Sequence, residues 1–257
     1  MDKKINQKIL KFWNERASLN ETAGTNDFIL SRIEQKFLSE NIEKHSRVLD
    51  IGCGNGNSLL GLVKSNSCHG IGIDFSEKML NLAKKNCDEQ NLNQAVRFHQ
   101  RDLPPIPREW DVFDVAYSQR CLINLTTTEK QKEAVLSIEN SLKHGGRYIM
   151  IECFNDGLQE TNHLRAQMSL EEIPPPWHNH FFDIDEVKSW STPKFYVERV
   201  VHISSTYHFL SRVVYAKLAA DANKELHYDS EINLLAEQLP QEIGAYGPVK
   251  ACIWKKA

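Results

Sequence analysis

Three glycines and an acid early in the chain have the residue types and spacing of a ligand-binding loop. Gly52, Gly54 and Gly56 form the pattern G-x-G-x-G directly after a short apolar run. Such glycines let the backbone turn tightly and let a ligand approach it closely. A dinucleotide fingerprint would need a further glycine where Asn57 stands. Asp50 would repel a pyrophosphate, so the loop suits a cationic or amino-bearing ligand.

Two more acids follow the next two predicted strands. Asp74 ends the second apolar run, and Asp102 follows the third. A carboxylate at the end of the second strand can accept both hydroxyls of a ribose, and Asp102 could accept from the exocyclic amine of a base. Because the carboxyl ends of parallel strands border one crevice, a cationic ligand containing ribose and adenine would satisfy all three acids.

The elements that would position these acids alternate between strand and helix. Each strand prediction is a short apolar run, and each helix prediction is a stretch with helical spacing. This alternation predicts βαβ units and a doubly wound, mostly parallel Rossmann-like α/β sheet. The predicted strands cover residues 47–51, 69–74, 95–99, 112–117, 147–154, 195–203 and 249–254, and the predicted helices in the alternating part cover 58–64, 76–89 and 129–142.

The remaining segments indicate a single domain with additions to this core. Helical spacing predicts an N-terminal lid over residues 1–45, followed by a cofactor-binding core over 46–154. A proline run, and tryptophan and histidine clusters, predict a substrate-cap insertion over 155–193, made of loops and one short helix at 185–190. The last strands and helices fall in 194–257. Tyr207 and Arg212 lie five residues apart on a predicted helix, so we expect only one of them to reach a substrate.

Composition narrows the function classes. The chain has 257 residues, 41% hydrophobic and 25% charged, with a formal net charge of −3. This mildly acidic balance argues against a nucleic-acid scaffold. No apolar run is long enough to span a membrane, the N-terminus lacks the apolar core of a signal peptide, and the six cysteines are scattered. We therefore expect a cytoplasmic protein with reduced thiols, no structural zinc and a small-molecule substrate. The oligomeric state stays open.

The glycine loop with its two following acids resembles the class I S-adenosylmethionine-dependent methyltransferases over about residues 47–154. The resemblance implies a seven-stranded sheet with an antiparallel last strand and S-adenosylmethionine as cofactor. It places Asp50 and Gly52 at the methionine part, Asp74 at the ribose, and Asp102 with Leu103 at the adenine. The implied cofactor set is completed by residues of the lid, the loop and the strand ends: Trp13, Arg16, Gly54, Gly56, Phe75, Met79, Ser118 and Gln119.

The region after the fourth strand bears on the methyl acceptor. It lacks the Asn/Asp-Pro-Pro-Tyr/Phe motif of enzymes that methylate base amines, and Cys121 lacks the preceding proline of cytosine C5 enzymes, so we interpret Cys121 as a packing residue. Ser118 and Gln119 stand where metal-dependent catechol-type enzymes place an acid, which favours a metal-independent reaction. Residues 12–16, 23–27 and 119–124 resemble methyltransferases of bacterial surface-glycan synthesis, which implies an oxygen of a sugar or sugar phosphate as acceptor.

A hydroxyl acceptor generally needs a base, and histidine can act as one near neutral pH. His178 and His180 follow a rigid proline run and Trp177, so we predict that one of them is the base and that Arg120 orients the acceptor. Glu152 is an alternative base. Two other functions stay open: methyl transfer to a small-molecule amine or carboxylate, and a non-catalytic protein that keeps the cofactor-binding fold.

Overall fold

The structure is a computed structural model that describes residues 2–106 and 112–257. Its centre is a seven-stranded sheet in the order β3-β2-β1-β4-β5-β7-β6. Strands β1 to β5 are parallel, and β7 runs antiparallel to both β5 and β6. The predicted fold class is therefore confirmed. The strands are β1 (Arg47–Ile51), β2 (His69–Asp74), β3 (Val96–Gln100), β4 (Phe113–Gln119), β5 (Leu142–Cys153), β6 (Phe195–Val201) and β7 (Val249–Lys256).

Helices flank the sheet, and several begin at side-chain caps. Asp27 accepts the Leu30 N–H at 3.0 Å, and Ser76 accepts the Met79 N–H at 3.2 Å, which satisfies N–H groups that a helix start leaves free. The helices are α1 (Asp2–Arg16), α2 (Phe28–Asn41), α3 (Asn57–Asn66), α4 (Glu77–Glu89), α5 (Thr128–Ile138), α6 (Asn155–Gln167), α7 (Ile184–Ser189), α8 (Ser205–Phe209), α9 (Ala216–Asp221) and α10 (Glu231–Gln238).

The strand register brings the functional residues to one edge of the sheet. Ile51 of β1 pairs with Ile73 of β2 and with Ser118 of β4, so the loops after these three strands begin side by side. The apolar residues of β1 from Val48 on are fully buried, which fixes the position of the strand and of the loop that it feeds. The carboxyl edge is consequently the place where a ligand can meet all three loops.

The segment after β5 differs from the prediction. Residues 155–167 form helix α6, whereas we expected loops with one short helix near 185–190, which is α7. Few apolar residues mark α6, which explains why its period is weak in the sequence. The helix is instead held by close packing: a Cβ on Gly157 would overlap the backbone of Gly247, and Thr161 donates to the Gly157 carbonyl at 2.9 Å.

A π-helical turn at Leu210–Tyr215 joins α8 to α9. Tyr207 and Arg212, of which we expected only one to reach a substrate, lie side by side. The Arg212 guanidinium lies 5.7 Å from the centre of the Tyr207 ring, and both side chains bond to Asp27. The wider spacing of a π turn brings residues five apart onto one face, and such turns are frequent at functional sites.

Candidate functional site

A cavity of about 1270 Å³ opens at the carboxyl edge of the sheet. Its walls are the N-terminal helices, the glycine loop, the turns after β2 to β4 and the segment after α6. Most of the predicted site residues share this one cavity. They are Trp13, Arg16, Asp50, Gly52, Gly54, Asp74, Phe75, Met79, Asp102, Leu103, Gln119, Arg120 and His178.

The three glycines of the loop do different things. All have positive φ, a region that favours glycine. A Cβ on Gly52 would overlap the Cys121 side chain, and a Cβ on Gly56 would lie 2.9 Å from the Phe98 ring, so these two glycines serve packing. A Cβ on Gly54 would meet no atom within 4 Å. Gly54 is thus the position where the backbone faces open cavity, whereas Gly56 lies outside the cavity wall.

Asp74 holds the loop from the end of β2. Its Oδ2 accepts the Gly54 N–H at 2.9 Å, and its Oδ1 accepts the Ser76 N–H at 2.8 Å. A carboxylate oxygen can accept two hydrogen bonds, so each oxygen keeps one site for a ligand hydroxyl. Burial raises the pKa of Asp74 to about 6, although the N–H groups of Ser76 and Gly54 lower it. The group is therefore mostly ionised at neutral pH.

Asp50 is the second buried acid of the loop. Its side chain lines the cavity and is 1% exposed. Burial raises the pKa of Asp50 to about 7, a hydrogen bond from the Tyr117 hydroxyl lowers it, and the charge of Asp74 adds to the rise. A buried carboxylate is costly unless donors satisfy it, and a ligand in the cavity can supply such a donor. The pair of acids thus fits a cationic ligand that carries vicinal hydroxyls, which is the chemistry of S-adenosylmethionine.

Helix α1 covers the cavity and is tied to its rim. The Trp13 indole N–H donates to Asn124 Oδ1 at 3.1 Å, which links α1 to the turn after β4. Arg16 donates to the Ala23 carbonyl at 2.7 Å and to the Thr22 carbonyl at 2.6 Å. These bonds hold the chain segment between α1 and α2. Trp13 and Arg16 therefore line the cavity and hold α1 at its rim.

Arg120 lies in the wall as one half of a buried ion pair. Its Nε is 2.9 Å from Glu34 Oε1, and its Nη2 donates to Glu34 Oε2 at 3.1 Å. Glu34 is 1% exposed, and burial is the main cause that raises its pKa, against the opposing charge of Arg120. Arg120 also has a φ of 49°, a strained conformation for a residue with a side chain. The structure thus fixes Arg120 at the cavity with its charge balanced.

Ser118 and Glu152 lie behind the cavity wall. Ser118 donates to Glu152 Oε1 at 2.7 Å and lies 2.8 Å from the Tyr148 hydroxyl. Glu152 also accepts backbone N–H groups of the turn after β4, including Leu122 at 3.0 Å. Burial raises the pKa of Glu152 to about 7. A carboxylate that is fully buried and bonded in this way braces the turn, and it does not reach the cavity as the alternative base.

The structure separates the two histidines predicted as base. The His178 ring lies in the wall at 4.5 Å from Phe12 and 5.2 Å from Trp177, measured between ring centroids. Burial, followed by the charge of Arg16, lowers the pKa of His178, and its Nδ1 is buried without a partner among the described residues. His180 instead pairs with Thr128 at 3.1 Å beside a separate cavity of about 110 Å³. His180 is therefore not brought to the main cavity.

A second polar cluster at the wall joins Tyr207 and Arg212, which the sequence indicated as candidates, to Asp27 and His208, for which it predicted no role. Asp27 caps α2 and accepts hydrogen bonds from the Tyr207 hydroxyl at 2.7 Å and from Arg212 Nη2 at 2.6 Å. His208 and Tyr228 line the cavity beside Arg212. No local motif links these residues, because the tertiary fold brings Asp27 to Arg212 and the π turn places Arg212 beside Tyr207.

Within residues 2–106 and 112–257, no three His, Cys, Asp or Glu side chains lie close enough together to hold a metal ion. Asp156, which follows β5, is engaged in an ion pair with Lys250. Of the helices that the structure describes, none is both long and apolar enough to cross a membrane.

Comparison with known proteins identifies relatives of this architecture. A family described as "Methyltransferase domain" matches residues 42–202. A demethylmenaquinone methyltransferase of Leptospira interrogans is 30% identical over 136 residues, which are 49% of this chain and 52% of that protein. The chain spans about half the length, or less, of the first curated relatives that it matches.

Solved structures share the fold at low identity. One is the geranyl diphosphate C-methyltransferase from Streptomyces coelicolor, in complex with Mg²⁺, geranyl diphosphate and S-adenosylhomocysteine. It matches with a TM-score of 0.58 and 14% identity, over 89% of this chain and 80% of that one. An S-adenosylmethionine-dependent methyltransferase from Thiobacillus denitrificans, in complex with S-adenosylhomocysteine, has a TM-score of 0.53 and 19% identity, and the match covers 88% and 91%. The expected cofactor class is thereby confirmed.

The family match extends over more than half of the chain and contains the glycine loop, both buried acids and the first five strands. The seven-stranded sheet with β7 antiparallel agrees with it. The chain belongs to the methyltransferase-domain family, within the class I S-adenosylmethionine-dependent methyltransferases.

Proposed function

We propose that this protein transfers the methyl group of S-adenosylmethionine to an oxygen of a small polar acceptor in the cytoplasm, and that the acceptor is a sugar or sugar phosphate of surface-glycan synthesis. The observation that carries the proposal is the pair of buried acids, Asp50 and Asp74, on either side of the open backbone at Gly54. The cavity of about 1270 Å³ exceeds the usual ~300–1,000 Å³ of a single-ligand pocket, which leaves room for an acceptor beside the cofactor.

The cofactor half of the cavity follows from the positions of the acids. In the proposal Asp74 accepts the ribose hydroxyls, Asp102 and Leu103 border the adenine, and Asp50 with the loop backbone holds the methionine part. S-adenosylmethionine supplies a methyl group that is already activated on a sulfonium. The protein then contributes chiefly proximity and orientation, by holding two ligands in one cavity.

The acceptor half lies between the lid and the segment after α6. Phe12 and Trp177 pack around His178 and form an aromatic surface at the rim, which supports a sugar ring as the acceptor. Arg120 and Arg212 stand in the same wall and offer donors to a phosphate or to hydroxyl groups. The two arginines equally support a carboxylate acceptor, so we keep methyl transfer to a small carboxylate or amine as the alternative function.

The substrates of the relatives do not decide this question. The relatives are named for demethylmenaquinone, geranyl diphosphate and sterol substrates, among others. Identity to the Leptospira protein covers 49% of this chain. The acceptor proposal therefore depends on the residues of the cavity and on the resemblance of residues 12–16, 23–27 and 119–124.

The test is methyl transfer from labelled S-adenosylmethionine to four panels: nucleotide sugars, sugar phosphates, small amines and small carboxylates. We expect a product heavier by one methyl group in the sugar panels, and none with the Asp74→Ala variant. Product from the amines or carboxylates alone would establish the alternative. Cofactor binding by calorimetry without transfer to any panel would contradict an enzymatic function and identify a cofactor-binding protein.

A further inference from the structure

His208 is a histidine of the cavity wall with a fixed orientation. It lies on α8 and is 5% exposed. One face packs against Gly247, where a Cβ would overlap the imidazole, and the neighbouring Tyr207 ring stands edge-on at 5.7 Å between centroids. Gly247 has a φ of 79°, so glycine is favoured there both by the backbone and by the ring. The imidazole therefore has one position available to it.

The structure also determines which ring nitrogen of His208 carries the proton. Nδ1 lies 2.9 Å from the Ser204 carbonyl oxygen, which can only accept. Nδ1 is then the donor, and in the neutral ring Nε2 keeps a free lone pair. Among the described residues no donor bonds to Nε2, and His208 lines the cavity. The free lone pair is thus available to a molecule inside the cavity.

The surrounding charges keep this ring neutral. Burial, followed by the charge of Arg212, lowers the pKa of His208 to about 4. Asp27 on α2 acts in the opposite direction, and Arg120 after β4 adds to the lowering. Arg212 is itself paired with Asp27, so the wall near His208 carries balanced charge. The neutral imidazole is the form that can accept a proton.

We propose that His208 is a catalytic residue whose Nε2 takes the proton of the acceptor hydroxyl. The inference rests on the proposed function and deepens it, because it requires an acceptor with a hydroxyl group. His178, the other histidine of this wall, lacks the corresponding support. Its Nδ1 has no partner that fixes the tautomer, and that atom is sealed from the cavity.

The proposed step transfers a proton to His208 and a methyl group to the acceptor oxygen. The acceptor O–H bond breaks, and the proton moves to Nε2, which makes His208 an imidazolium. The oxygen forms a bond to the methyl carbon with an electron pair of its own, while the electron pair of the breaking S–C bond stays on sulfur. The imidazolium then gives its proton to water. General-base help of this kind is worth roughly 10²–10⁴-fold in rate.

Two substitutions separate a catalytic role from a structural one. His208→Asn can keep a donor near Nδ1 for the Ser204 carbonyl but removes Nε2, whereas His208→Gln keeps a polar atom near Nε2 that cannot take a proton. We expect both variants to lose ~10²–10⁴-fold in kcat with the sugar acceptor that the wild type uses, and His208→Asn to keep the wild-type Tm and cofactor Kd. His202→Asn, outside the cavity wall, is the matched control.

The outcomes distinguish the alternatives. Normal turnover in His208→Asn with impaired His208→Gln would show that only the Ser204 bond matters and would overturn the proposal. Loss of turnover in His178→Asn with none in His208→Asn would assign the base to His178. Wild-type protein that binds S-adenosylmethionine but methylates no acceptor would refute the proposed function, and the catalytic role with it.

The accessibility of His208 Nε2 can be tested by chemical modification without any acceptor. Diethyl pyrocarbonate reacts with accessible, unprotonated ring nitrogens, so we expect mass spectrometry to find the wild-type protein modified at His208 Nε2 near neutral pH. Exposed His163 serves as the positive control for the reagent. Modification of His163 with none at His208 would show that the lone pair does not open to the cavity.

Discussion

Replacing Asp74 by alanine should weaken cofactor binding, and the lost binding free energy can be calculated from the hydrogen bonds that the variant cannot make. The carboxylate keeps one free acceptor site on each oxygen, enough for two ribose hydroxyls. Hydrogen bonds to a charged group are worth about 1.5–3 kcal/mol each. Loss of both bonds should weaken S-adenosylmethionine binding by about 3–6 kcal/mol, which is roughly 10²- to 10⁴-fold in Kd.

The variant also removes two bonds that exist without ligand, from the N–H groups of Gly54 and Ser76. A thermodynamic cycle separates this structural effect from ribose binding. Calorimetry would compare Asp74→Ala with wild type for S-adenosylhomocysteine and for its 2′,3′-dideoxy analogue, with exposed Asp88→Ala as the matched control. We expect the loss to be smaller for the dideoxy analogue by the ribose contribution of about 3–6 kcal/mol. An equal loss for both ligands would refute the ribose assignment and leave Asp74 as a loop support.

Four further predictions follow from the same structure. Gly54→Val should abolish cofactor binding in a folded protein, whereas Gly52→Ala should mainly lower the Tm, because a Cβ at position 52 has no room. Calorimetry and thermal unfolding would measure the two effects, and the reverse pattern would contradict the loop geometry. Cofactor affinity should fall as pH drops from about 8 to about 6. The reason is that protonation of Asp50, whose pKa is raised to about 7, removes the negative charge that attracts the cationic cofactor. If Asp50→Asn shows the same pH dependence, another group is responsible for it. Asp27→Ala should cost about 1–3 kcal/mol in denaturant unfolding, because it removes the cap of α2 and leaves partly buried Arg212 unpaired, and a cost below ~0.5 kcal/mol would show that these bonds do not stabilise the fold. Methyl transfer should survive exhaustive chelation, and recovery of a lost activity by added Mg²⁺ would overturn metal independence.

The cofactor half of the site could be predicted because its determinants are local. The glycine spacing and the acids at strand ends are contiguous patterns, and the strand register brings Asp50 and Asp74 together whenever the sheet forms. The roles of the individual glycines could not be predicted. They depend on what stands opposite each Cα, namely Cys121 for Gly52 and the Phe98 ring for Gly56.

The acceptor half could be predicted only in part. The proline run and Trp177 led to the prediction that His178 or His180 is the base, and the structure places only His178 at the main cavity. The backbone N–H of His180 bonds to the Ile123 carbonyl, and the residue lines another cavity. Helix α6 was not predicted because no apolar stripe marks it, and the helix is held by packing against a glycine backbone. Asp27 and His208 are far apart in sequence, and only the tertiary fold brings both of them close to Arg212, which lines the cavity.

The central proposal is that this cavity holds S-adenosylmethionine with its methyl group available to a hydroxyl acceptor. The most direct measurement is mass spectrometry of nucleotide sugars and sugar phosphates incubated with the protein and S-adenosylmethionine carrying a labelled methyl group. We expect label on an acceptor oxygen and one S-adenosylhomocysteine formed per methyl transferred. Label on nitrogen or on a carboxylate would refute the acceptor assignment, and cofactor left intact with every acceptor would refute methyl transfer by this protein.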